Sequence, residues 1–163
     1  MASGGRVGNA AIWGGCGAVL PGAVNISDDG ADSAPDPATD DGTDVIPGGE
    51  GDDIIFGQDD DDIVYGDAGD DTIDGGIDND TIFGGTGNDT INGGDGDDIL
   101  NGEDGDDLIG GFDGSDQLSG DAGNDTLTGG DAGDTLLGGD GHYSLRGDLG
   151  AERRNGGAGV DTG

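Results

Sequence analysis

From Gly48 onward the sequence repeats every nine residues, and the phase does not slip before the chain ends. Units begin at Gly48, Gly57, Gly66, Gly75, Gly84, Gly93, Gly102, Gly111, Gly120, Gly129, Gly138, Gly147 and Gly156, so the first place is always glycine. The sixth place is aspartate in the first ten units: Asp53, Asp62, Asp71, Asp80, Asp89, Asp98, Asp107, Asp116, Asp125 and Asp134. The eighth is aliphatic in the first eleven: Ile55, Val64, Ile73, Ile82, Ile91, Leu100, Ile109, Leu118, Leu127, Leu136 and Leu145. A unit this short cannot enclose a core alone. Two columns held in one phase therefore describe one small element copied and stacked, each copy sharing its core with its neighbours.

The unit itself predicts the coil. Its glycine-rich first six residues suit a tight turn that visits positive φ at little cost. The next three, such as Thr90, Ile91 and Asn92, suit a very short strand in which the eighth-place side chain points inward and its neighbours outward. Turn, strand, turn, strand winds a flattened all-β coil. Two units, eighteen residues, complete one circuit, and alternate units stack on the same edge as parallel strands.

Such a stack needs positive charge from outside the chain. Thirty-eight acidic residues face four arginines and no lysine, giving a formal net charge of −34, while hydrophobic residues make up only 29% and aromatics 4%. That balance describes an expanded polyanion. Its sign excludes nucleic acid as a partner and disfavours an anionic membrane surface. Multivalent cations remain, and calcium fits best, because it accepts six to eight carboxylate and carbonyl oxygens in tolerant geometry. Cys16 is the single cysteine, so no intrachain disulfide or cysteine-built zinc site is expected. The apolar stretch at 10–24 is broken by glycines and Pro21, too short to span a bilayer, and with Arg6 alone ahead of it is not expected to act as a secretory signal.

GGTGNDTIN at 84–92 and GGDGDDILN at 93–101 resemble the haemolysin-type, or RTX, calcium-binding nonapeptide. The resemblance implies a parallel β-roll with each calcium held between one turn and the next on the same edge. One edge would pair Asp53 with Asp71, Asp71 with Asp89, Asp89 with Asp107 and Asp107 with Asp125. The other would pair Asp62 with Asp80, Asp80 with Asp98, Asp98 with Asp116 and Asp116 with Asp134. That makes about eight calcium ions, with Asp44 and Asp62 a candidate ninth site. It also implies a chain that folds on meeting extracellular calcium, as part of a secreted bacterial protein exported by type I secretion machinery. The alternative is a calcium-rigidified spacer in a surface adhesin or ice-binding-type protein. No catalytic role is expected, since the one histidine, His142, lies in no HExxH motif and its nearness to Ser144 makes no triad.

Three regions follow. Residues 1–38 show no period and read as a flexible non-repeat segment. Residues 39–141 form the roll, opened by a degenerate unit, TDDGTDVIP, from Thr39. Residues 142–163 are degenerate and read as a truncated end: Tyr143 and Glu152 take the sixth place, and Arg154 takes an eighth. The two edges also differ. The fourth place is always glycine on the first edge, whereas the second carries Asp60, Asp78 and Ala132 there. If that place needs a left-handed conformation, the first edge should bind calcium more tightly.

Overall fold

The computed structural model describes residues 43–151 and 153–157, with the backbone of Ala11–Gly14 and Ala23–Ile26. It is an all-strand parallel β-roll built from two facing sheets. The first sheet stacks Ile54–Gln58, Thr72–Ile77, Thr90–Asp95, Leu108–Asp113, Thr126–Asp131 and Ser144–Arg146. The second stacks Val45–Glu50, Ile63–Ala68, Thr81–Thr86, Ile99–Asp104, Gln117–Ser119, Thr135–Leu137 and Arg153–Asn155. Every neighbour within these stacks lies eighteen residues away, as in Ile73 opposite Ile91 and Ile82 opposite Leu100. Successive units therefore alternate between sheets, and like places stand in columns.

The inward column is the core. Ile46, Ile55, Ile73, Ile82, Ile91, Ile109, Leu127 and Leu136 are fully enclosed, and the rest of the eighth-place column through Leu145 is buried with them. Each enclosed side chain contributes about 1.5–3 kcal/mol over its exposed state. The flanking seventh place faces out, leaving Ile54, Ile99 and Leu108 half exposed. Arg154 breaks the column in the last strand, where its Nη1 donates to the Leu145 carbonyl at 3.3 Å.

Most of the strands are longer than the nine-residue pattern suggests. Six residues run extended, from the seventh place through the third of the next unit, because the paired glycines continue the ladder instead of ending it: Gly76 stands opposite Gly94 and Gly85 opposite Glu103. The turn shrinks to places four to six. Two further strands, Ala11–Gly14 and Ala23–Ile26, extend the first sheet beyond Ile54–Gln58, with Ile12 opposite Ile55 and Val24 opposite Ile12. No nine-residue signal marks them. The remainder of 1–38, residues 39–42 of the opening degenerate unit, Glu152, and 158–163 of the final partial unit from Gly156 lie outside the described residues.

Candidate functional site

The turns place the acidic residues. Positive φ at the fourth place reverses the chain: Gly69, Gly87, Gly105, Gly123 and Gly141 lie at +145°, +134°, +150°, +152° and +140°. Non-glycine residues at that place retreat to the left-handed well, with Asp60 at +77°, Asp78 at +73° and Ala132 at +79°. The fourth-place carbonyl points along the stack. A Cβ on Gly105 would collide with the Gly87 oxygen, and one on Gly123 with that of Gly105. Gly105→Ala should therefore lower the stability of the calcium-loaded roll by about 1–3 kcal/mol. Ala132→Gly should raise it by about 1 kcal/mol. Urea midpoints in saturating calcium read both.

Two residues on, the chain buries a carboxylate. All ten sixth-place aspartates, Asp53 through Asp134, are no more than 3% exposed. Asp89 shows the arrangement. Its Oδ1 accepts a hydrogen bond from the Asp71 amide at 2.8 Å, and its own amide donates to Asp107 Oδ1 at 2.8 Å. The same link joins Asp53 to Asp71 and Asp107 to Asp125 on this edge, and runs from Asp44 through Asp62, Asp80, Asp98 and Asp116 to Asp134 on the other. The second oxygen is different. Oδ2 of Asp62, Asp71, Asp80, Asp89, Asp98, Asp107, Asp116 and Asp125 is buried with no hydrogen-bond partner.

A buried carboxylate oxygen left in this way is costly unless a cation or a proton meets it. Burial, and then neighbouring carboxylates in the column, accordingly push these groups upward: Asp80 to about 8, Asp89 and Asp116 to about 7, and Asp62, Asp71 and Asp107 to about 6. Asp98 and Asp125 move the same way through burial. The backbone hydrogen bond to Oδ1 opposes the shift in each case without cancelling it.

Among the described residues, no three His, Cys, Asp or Glu side chains gather at one point. A cation here would therefore draw its remaining ligands from main-chain carbonyls, which glycine turns leave uncovered. Hard oxygen donors of mixed type, held in backbone that a Cβ would obstruct, suit calcium. They do not suit a soft metal.

A second polar column escaped the sequence reading. At the fifth place, Asp52, Asp70, Asn88, Asp106 and Asn124 stack on one edge, and Asp61, Asn79, Asp97 and Ser115 on the other. The Asn88 amide donates to Asp70 Oδ1 at 2.8 Å, and Asn88 Oδ1 accepts from the Asp106 amide at 2.9 Å. These links run opposite to the sixth-place links, so each turn is tied both up and down the stack. An unbroken run of Asp, Asn or Ser at the fifth place was the available signal. His142, next in that column, is exposed.

No helix among the described residues is long and apolar enough to cross a membrane. No curated protein matches the chain. The family model for the RTX calcium-binding nonapeptide repeat (4 copies) matches residues 39–73, 74–109 and 110–145, which is the stacked region itself. With its period, its two-edged roll and its columns of buried aspartate in agreement with that match, the chain belongs to the RTX calcium-binding nonapeptide repeat family.

Proposed function

We propose that this chain is a calcium-triggered folding module of a secreted bacterial protein. The observation that carries this reading is the set of eight buried carboxylate oxygens with no hydrogen-bond partner. Each is a buried acceptor for which the polypeptide supplies no donor. The ligands proposed are Asp53, Asp71, Asp89, Asp107 and Asp125 on the first edge, and Asp62, Asp80, Asp98, Asp116 and Asp134 on the second. Turn carbonyls complete each shell. About eight ions, one between each consecutive pair, would roughly halve the formal charge of −34.

The mechanism is linkage between binding and folding. Extracellular modules bind calcium with constants near 10⁻⁴–10⁻³ M, far above cytosolic calcium, so the chain would stay open inside the cell and close outside it. Export in the open state through a type I channel, followed by closure on the far side, would oppose backsliding. No catalysis is assigned to the roll; its calcium is structural.

Equilibrium dialysis with metal analysis tests the reading. The expected result is about eight calcium ions per chain, not displaced by equal magnesium, with the first-edge sites filling at lower calcium. A count of one or two, or equal competition by magnesium, would overturn it.

A further inference from the structure

We propose that Tyr143 closes the last described first-edge turn without an ion, standing in for both the sixth-place carboxylate and the cation it would hold. The inference rests on the calcium reading above. The turn at 138–143 keeps the backbone of the turns beneath it. Gly139 and Gly141 sit at φ +96° and +140°, and the Gly123 carbonyl is aimed at Gly141 as the Gly105 carbonyl is aimed at Gly123. Only the side chain differs.

In the turns below, the first-place glycine faces Oδ2 of the aspartate five residues on: Gly102 faces Asp107 and Gly120 faces Asp125. At Gly138 the corresponding space holds the Tyr143 ring, whose carbons would lie 2.5–2.7 Å from a Cβ on that glycine. The ring is 2% exposed, so apolar burial takes the place of a buried charge. Its hydroxyl donates to the Gly139 carbonyl at 2.6 Å, satisfying an oxygen of the same turn with a proton instead of a metal. It offers no carboxylate to the Asp125 amide, although each lower amide in the column, from Asp53 to Asp107, has one.

A neutral ring needs no counter-charge. This turn is therefore closed by packing and by the hydroxyl's hydrogen bond to Gly139, and it takes up no ion of its own. Among the described residues, the first-edge column of ion sites stops at the pair Asp107 and Asp125, where Tyr143 interrupts it.

The test counts bound calcium per chain, by equilibrium dialysis and metal analysis in saturating calcium, for the wild type, Tyr143→Asp and Tyr143→Phe. Tyr143→Asp should bind one ion more than the wild type, because Asp125 gains a carboxylate partner on a turn whose backbone already has the right shape. Tyr143→Phe should bind the same number, since the ring still fills the space. A wild-type count near eight with no gain in Tyr143→Asp, whether or not its last turn stays closed, overturns this inference alone. A lower count in Tyr143→Phe also overturns it, by making the hydroxyl a ligand. A wild-type count of zero removes the calcium reading and this inference together.

Discussion

Chelation with EGTA at pH 7.5 is expected to abolish the β-sheet circular dichroism of this chain, and millimolar calcium to restore it cooperatively. Leaving a buried charged group unsatisfied costs about 1–3 kcal/mol or more, and eight aspartates carry such an oxygen. Together they come to about 8–24 kcal/mol, as large as the whole 5–15 kcal/mol margin that holds an ordinary domain folded. The core offers little reserve, being two facing files of isoleucine, leucine and valine, one from each sheet, with Tyr143 beside them near one end. Magnesium should fail at equal concentration, because it holds its water and demands a tight octahedron that shared carbonyls in stacked turns do not provide. Cooperativity is expected because interior aspartates such as Asp89 belong to two consecutive pairs, so each closed turn prepares the next. A sheet spectrum that persists in excess chelator at neutral pH would contradict this account.

Acidification should do part of the metal's work. Folding raises the pKa of Asp62, Asp71, Asp80, Asp89, Asp107 and Asp116 from 3.8 to between about 6 and about 8 and moves Asp98 and Asp125 the same way, so the roll binds protons more tightly than the open chain. Stability from that source is complete below pH 3.8 and is lost as pH rises through 6 to 8. Calcium-free chain moved from pH 8 to pH 5 should therefore gain sheet signal and compactness, while staying above its pI of about 4.1 and so remaining soluble. Calcium reverses the dependence, because protons then compete for its ligands. Asp80→Asn separates the two regimes, since Asp80 has the highest pKa of the group. Without calcium at pH 7.5 the variant should be more stable by about 1–3 kcal/mol and should fold at higher pH. With calcium it should bind fewer ions and be less stable. Circular dichroism titrated with acid, with and without calcium, reads both signs, and a calcium-free signal that falls on acidification would refute the account.

The fold was legible because its two main determinants repeat in one phase. Inward isoleucine and leucine at the eighth place fixed which side of each strand is buried, and a nine-residue unit that alternates sheets fixed the eighteen-residue register. Strand length was not legible. Glycines that read as turn formers, such as Gly85 and Gly94, in fact pair along the sheet, because in a parallel stack the partner is a neighbouring copy of the same backbone, whatever its local preference. The sixth-place aspartates declared themselves by recurrence. The fifth-place column did not, since its mixture of Asp, Asn and Ser looks like ordinary turn composition until the amide of Asn88 is seen bonded to Asp70 and that of Asp106 to Asn88. Ala11–Gly14 and Ala23–Ile26 were missed because they join the sheet without the glycine phase that marks every later strand.

Within the repeat, the constant offset of eighteen residues between stacked partners makes length a quantised property. Removing or adding a whole circuit keeps every surviving side chain above its own kind and changes the height by one interstrand spacing, about 4.8 Å. A change of nine preserves each turn but transposes the two faces beyond the junction, setting the all-glycine edge against the one that carries Asp60, Asp78 and Ala132. Any increment that is not a multiple of nine throws the aliphatic and carboxylate columns out of phase across the junction. Evolution of such a chain by slippage is thus confined to discrete steps, and the same arithmetic tells a designer where it can be cut.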